Sequence, residues 1–326
     1  MSRSMEDLFE FNAKQLDTAR QPGISAIMRI KNGEDFLKIS IESHISYVDE
    51  IVACYNDCSD QTVEILKELA IKYPGKIKII EYKPKVHPIL SLEHANTPTE
   101  SVNSIANYYN FALSQARFSY ALKLDDDHLA IDTNFQPAVE DVRKSIAKGE
   151  KKLFTFSGLN IAPNRFGNLE IFTPEIFVGS GDHLFFPVCS DIYFIQDIRT
   201  EVFKFPKARL PKVYAGLLYF HLKHCKPRNR SLNLKSKNHE DALNIHSDNY
   251  KTIEFSHFRH PKNIKKMVGK INPIEYWLQT NKISRNLIYK LTGRNPPLKI
   301  ARLHRLQQDL ESIDFQNDIE NKLKKQ

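Results

Sequence analysis

Three consecutive carboxylates, Asp125, Asp126 and Asp127, stand at the end of a short apolar run, Tyr120 to Leu124. Carboxylates placed side by side repel one another, and each is costly to take out of water unless a cation or a water satisfies it. Hard oxygen ligands of this kind suit Mg2+ or Mn2+, ions that keep several waters and complete their shell with substrate phosphates. Alternate residues of an extended chain point the same way, so Asp125 and Asp127 can face one side and Asp126 the other. A solvated acidic turn that caps a helix is the plainer alternative. The apolar strand in front of the cluster favours the metal.

The elements that must carry this cluster follow from periodicity. Ile24 to Ile30 predicts a buried strand, Glu34 to Ser46 has apolar residues at helical spacing, and Asp49 to Asn56 predicts a second strand. Asp60 can cap a helix over 61–73 with Val63, Leu66 and Ala70 on one face; Pro74-Gly75 ends it, and 76–82 predicts a third strand. Lys85 to Thr99 reads as a loop, Glu100 to Arg117 as a helix, and Tyr120 to Leu124 as the fourth strand. Strands alternating with helices predict an α/β fold with a doubly wound, mostly parallel sheet, whose ligands bind beyond the carboxyl ends of the strands. Both Asn56 to Asp60 and Asp125 to Asp127 fall there. Beyond Asn134 come short β-like runs, KLFTFSGLNI, LEIFTPEIFVG, DHLFFPV and VFKF, punctuated by Pro and Gly, which should shape the site of a second substrate.

The order ISAIMRIKNGEDFL, then DEIVACYNDCSDQT, then a D-x-D turn resembles the family 2 glycosyltransferases of GT-A fold over the first 130 or so residues. Tyr55, Asn56 and Asp57 stand where that family more often has Asp, Asp and Gly. The resemblance implies that Asp127 and Asp125 hold a metal, Mn2+ or Mg2+, on the diphosphate of a nucleotide-sugar donor, most commonly UDP-linked, while Asn56 and Asp60 lie near the nucleoside and Asp126 near the donor. A cation fixed on both phosphates stabilises the charge that develops as the nucleoside diphosphate leaves, and Arg29 and Lys31 at the end of the first strand can add to it. The acceptor, a glycan or lipid-linked saccharide, needs a carboxylate to take its hydroxyl proton in an inverting reaction. Asp182 in FVGSGDHLFFP resembles an acceptor-loop base of such enzymes; Glu240-Asp241 in KNHEDALNI resembles the family's E-D pair and is the alternative. Such enzymes often add a late histidine to the metal. The apolar run VYAGLLYFHL delivers His221, with His224 as alternative, ahead of a basic stretch. His257, His260 and Trp277 are weaker candidates.

Composition bounds the remaining classes. The chain has 326 residues, 41% hydrophobic and 26% charged, which predicts a folded protein. No apolar run approaches the ~20 residues needed to cross a bilayer, and MSRSMEDLFEF lacks the apolar core of a signal peptide, so a cytoplasmic protein is expected. Cys54, Cys58, Cys189 and Cys225 lack zinc spacing and read as reduced. The net charge of +8 is concentrated: Pro261 to Arg305 holds eleven Lys and Arg against Glu275 alone, a local balance of +10. A nucleic-acid binder would spread its basic footprint over the fold, with a motif to match, and no such motif occurs. Interleaved with Ile271, Trp277, Leu287 and Leu291, the charges suit an anionic leaflet, hence a peripheral position on the inner face of the cell membrane; packing on the catalytic domain is the other possibility. The expected division is a leader over 1–23, a nucleotide-sugar-binding half over 24–134, an acceptor-binding half over 135–260, and a basic helical extension over 261–326. Two other functions compete. A nucleotidyltransferase would carry a glycine-rich loop after the first strand, where RIKNGEDF has one glycine; a non-catalytic module would dock through the basic tail.

Overall fold

The computed structural model describes residues 8–89, 91–179, 183–196, 201–204, 210–226, 252–260 and 299–323. Its first strand, β1 (Gln21–Ile30), shows why the sheet forms. Ile24, Ala26, Met28 and Ile30 point into one apolar cluster and Ile27 into another, so both faces are buried. That two-sided burial is what a parallel strand covered by helices requires. Next come α1 (Leu37–His44), β2 (Glu50–Tyr55), α2 (Thr62–Lys72) and β3 (Ile77–Glu81), followed by α3 (Leu92–Asn96), α4 (Ile105–Ser114) and β4 (Phe118–Lys123). Strands β3, β2, β1 and β4 lie side by side in that order, all parallel. Leu37 and Ile41 of α1 and Leu66 and Leu69 of α2 cover one face, and Ile105, Tyr109 and Leu113 of α4 cover the other. The strand order reverses between β1 and β4, which makes their carboxyl ends the switch point where such sheets bind ligands.

The rest of the chain extends this sheet. In order it contains β5 (His128–Ala130), α5 (Asp132–Ala147), β6 (Leu153–Pro163), β7 (Leu169–Phe172), β8 (Phe177–Val178), β9 (Leu184–Pro187), β10 (Tyr193–Gln196), β11 (Glu201–Lys204), β12 (Lys212–His221) and β13 (Thr252–Ile253). Antiparallel β9 joins β4 to β6, β12 runs parallel to β6, and β5 pairs antiparallel with β12; β10 and β11 form a separate hairpin. The β-like runs expected beyond Asn134 are therefore strands. Two expectations need correction. The segment 85–99 contains the helix α3, whose start is capped by Ser91 Oγ accepting from His94 N (3.0 Å). Between β5 and β6 lies a sixteen-residue helix, α5, that periodicity did not single out.

The helix Lys299–Ser312 and the residues after it pack on the sheet. Leu306, Leu310, Ile313 and Ile319 are buried with Leu217 and Phe220 of β12, and at roughly 1.5–3 kcal/mol per buried side chain they contribute several kcal/mol. Strand β12 slips register against β6 twice, around Gly216 and around Leu217 to Tyr219. Asp309 fits into this irregularity: its Oδ2 accepts from Leu217 N (2.9 Å) and its Oδ1 from Arg305 Nε (2.9 Å). Gly216 has φ +120°, and a Cβ there would lie 2.6 Å from Asp309 Oδ2, so only glycine suits the position. Asn134 of α5 donates to Leu217 O (2.9 Å) and Asp309 O (3.2 Å), tying α5, β12 and the last helix together.

Candidate active site

Strand β4 ends with Leu124 N donating to Ile27 O (3.1 Å), and the chain then turns through Asp125, Asp126 and Asp127 at the switch point. Ser40 of α1 anchors the turn by donating to Asp125 O (2.9 Å). Lys123 Nζ bridges both oxygens of Asp125 (2.9 and 3.0 Å), and Tyr109 donates to Oδ1 (3.3 Å). His183 Nε2 and His128 Nε2 approach Oδ2 at 3.5 and 3.7 Å. Burial opposes ionisation, yet Lys123, His183 and His128 hold Asp125 well below the usual carboxylate range.

Asp127 lies 6% exposed between two basic partners, with Lys226 Nζ at 3.0 Å from Oδ2 and His221 Nε2 at 3.4 Å from Oδ1. These hold it well below its ordinary value despite burial, His221 contributing more than Lys226. The orientation of His221 is fixed from behind. Asn160 Nδ2 donates to Glu175 O (2.7 Å), which turns Asn160 Oδ1 toward His221 Nδ1 (2.7 Å). Nδ1 is then the donor, and Nε2 confronts the Asp127 carboxylate, an approach relieved by a proton on Nε2 or by a cation shared between the two. Asp126 lies 3.5 Å from Lys226, and burial, with the charges of Asp127 and Asp125, pushes its carboxyl up to about 6. The loop after β1 packs on this turn, where a Cβ at Gly33 would lie 2.7 Å from Asp126 Oδ2.

The other expected residues divide. Arg29 lies over the Tyr109 ring at 5.0 Å, one residue removed from Asp125 through the tyrosine hydroxyl. Lys31 pairs with the exposed Asp57 (2.7 Å) and also donates to Asp57 O. Asn56 is buried, and its amide donates to Tyr82 O (2.6 Å) and Pro84 O (2.9 Å). Asp60 accepts from Thr62 N (3.1 Å) and Oγ1 (2.6 Å) and from Glu34 N (3.1 Å), joining the start of α2 to the loop after β1. Both residues spend these groups on the protein itself. His224 stacks on Phe172 (4.1 Å between centroids), whereas His221 faces the acidic turn. Asp182, Glu240 and Asp241 lie outside the described residues, but His183, next to Asp182 in sequence, reaches Asp125. Residues 261–298 of the basic tail also lie outside them.

Sequence reasoning missed His128, His183 and the role of Lys123. The available signal was adjacency: His128 follows the three aspartates directly, and His183 follows Asp182. Two groups of donor atoms lie within 4.8 Å of one another, Asp125, His128 and His183 in one and Asp127, His128 and His221 in the other. Each pairs one carboxylate with two imidazoles, a set that can hold a divalent metal. Among the described residues no helix is long and apolar enough to cross a membrane.

Residues 3–147 match the sequence profile of a family described as beta-1,4-N-acetylgalactosaminyltransferase (CgtA). That stretch contains the parallel half of the sheet and the whole acidic turn. The match, together with the parallel sheet and the acidic turn, supports a glycosyltransferase. The match covers less than half of the chain, and no curated protein matches its sequence. Among solved structures, S. aureus TarS 1-349 is similar with 14% identity, covering 93% of this chain and 92% of that one at a TM-score of 0.38. TarS 1-349 in complex with UDP has 15% identity, 89% and 90% coverage, and a TM-score of 0.38. Glucosyl-3-phosphoglycerate synthase from Mycobacterium tuberculosis, in complex with Mn2+, UDP and glucosyl-3-phosphoglycerate, has 17% identity, 49% and 50% coverage, and a TM-score of 0.27.

Proposed function

We propose that the protein transfers a sugar, in a metal-dependent and inverting reaction, from a UDP-linked nucleotide-sugar to a hydroxyl of a glycan or glycolipid acceptor. The observation that carries this reading is the pair of Asp127 and His221 at the switch point, the imidazole fixed by Asn160 so that Nε2 meets the carboxylate at 3.4 Å. Mn2+ or Mg2+ bound there would neutralise the charge that develops on the departing diphosphate. Lys226, beside both Asp126 and Asp127, supplies a second positive charge for the same phosphates, and half-buried Arg29 and buried Lys123 add a basic background through Tyr109. Asp125 Oδ2 faces the Nε2 atoms of His128 and His183 at 3.7 and 3.5 Å.

The matched family's description suggests N-acetylgalactosamine as the donor sugar and a β-1,4 linkage as the product. A β-linked product made from an α-linked donor requires inversion, and inversion by direct displacement requires a base. We assign that base to Asp182, with Glu240 and Asp241 as alternatives. If Asp182→Asn keeps donor affinity and loses turnover while Glu240→Gln and Asp241→Asn stay active, the assignment holds; the reverse pattern moves the base to that pair.

The whole reading is tested by incubating the full chain with UDP-, GDP- and CMP-linked sugars in Mn2+, Mg2+ or EDTA and measuring nucleotide release. Metal-dependent release of UDP from one donor is expected. Pyrophosphate release from a nucleoside triphosphate and a sugar phosphate would make it a nucleotidyltransferase instead. No turnover and no thermal stabilisation by any donor would leave a binding module.

A further inference from the structure

We infer that His128 is a third protein ligand of the cation at Asp127 and His221, and that it gives the site a preference for imidazole-favouring transition ions over Mg2+. The inference rests on the metal reading above and names a ligand beyond the D-x-D turn and the late histidine. His128 is 1% exposed, and its Nε2, 3.7 Å from Asp125 Oδ2, makes no hydrogen bond among the described residues. Buried polar atoms almost always find a partner, and an orphaned one calls for a missing water or ion. The candidate ligand atoms of His128, Asp127 and His221 lie within 4.8 Å of one another. The ring is not free to turn away, because it stacks on Tyr219 with centroids 3.9 Å apart and planes at 30°.

The same imidazole also borders Asp125 and His183, so two positions compete for it. Charge decides between them. Lys123 straddles both oxygens of Asp125, leaving a second cation to face an ammonium across either one. At Asp127, Lys226 sits on Oδ2 while Oδ1 faces His221, so one oxygen remains directed toward the imidazoles. One carboxylate oxygen and two imidazole nitrogens form a borderline-soft donor set. Such a set ranks Co2+ and Zn2+ above Mn2+, and all of these above Mg2+, which favours oxygen.

The test is titration of the full chain with CoCl2, followed by visible absorption and equilibrium dialysis, with and without UDP. Wild type should bind Co2+ at least tenfold more tightly than Mg2+. His128→Gln should weaken Co2+ at least tenfold, change its absorption band and leave Mg2+ affinity within about threefold. Unchanged Co2+ affinity and spectrum in that variant would remove His128 from the ligand set while leaving a cation at Asp127. Failure of wild type to bind any divalent ion, even with UDP, would overturn both readings. Should His128→Gln not fold, pulsed electron paramagnetic resonance of Mn2+ on wild type decides the matter, two coupled imidazole nitrogens upholding the inference and one refuting it.

Discussion

Asp127 alone of the three aspartates meets both the fixed histidine and the lysine closely, and the proposed metal chemistry rests on it. Asp127→Asn keeps the side-chain volume and removes the charge. Turnover should fall at least 100-fold, roughly 3 kcal/mol of transition-state stabilisation, while the melting temperature moves by only a few degrees. Full activity of this variant, or of wild type in EDTA, would refute the metal assignment. At this scale the sequence was legible where residue type alone is diagnostic. Three carboxylates stand out at a strand end, and the apolar run before His221 is the strand that brings it 3.4 Å from Asp127. Asn56 and Asp60 were less legible because hydrogen-bonding capacity looks the same whether it is spent on a ligand or on the neighbouring loop. His128 and His183 carried no pattern beyond adjacency, since what unites them is a fold that brings β5, β9 and β12 to one edge.

Among the elements, β12 decides where His221 points. A strand that slips by one residue turns every side chain to the other face, so the register irregularity near Gly216 sets the direction of Tyr219 and His221. Asp309→Ala would leave Leu217 N without its acceptor and should cost about 1–3 kcal/mol in chemical unfolding, with a loss of activity exceeding that expected from the unfolded fraction. Activity that merely tracks the folded fraction would show that β12 keeps its register unaided. A second prediction concerns Asp318, whose carboxyl burial pushes up to about 6 and whose Oδ2 lacks a partner among the described residues. A carboxyl raised in the folded state binds more protons folded than unfolded, so its penalty is largest above pH 6 and disappears as pH falls toward 4. Asp318→Asn should therefore raise stability by about 1–2 kcal/mol at pH 8, discounted for screening, with the gain vanishing near pH 4. Equal unfolding midpoints for the two proteins at pH 8 would contradict this. The helix α5 hid from the sequence because Asn134 and Pro137 interrupt its pattern, although Phe135, Ala138, Val139 and Val142 do repeat at helical spacing and are buried. Central strands were the easiest elements to read, because burial on both faces leaves an unbroken apolar run.

The whole molecule closes on itself through its last residues. The helix Lys299–Ser312 and the residues after it are buried against β12. The extension expected over 261–326 thus includes residues that belong to the fold's own core, something invisible in a composition dominated by charge. Truncation after His260 would remove Leu306, Leu310, Ile313 and Ile319 and should unfold the part of the sheet built on β6 and β12. A membrane role for the basic segment has to be tested inside an intact chain. Replacing Lys262, Lys265, Lys266, Lys270, Lys282, Arg285 and Lys290 with Gln should weaken sedimentation with anionic vesicles, at roughly 1 kcal/mol per charge near the surface, and preserve transfer to a soluble acceptor. Equal sedimentation of the two proteins would dismiss the membrane as a partner.

Lys226 gives the site an order of events. Its ammonium already lies 3.0 Å from Asp127 and 3.5 Å from Asp126, so a cation arriving alone must share the carboxylate with a charge of its own sign. A diphosphate arriving with the cation offers that lysine a new anionic partner and relieves the crowding. Under the metal-dependent transfer proposed above, cation and donor should enter together, each strengthening the other's hold, so that the metal is held loosely between turnovers and firmly only while there is a substrate to act on.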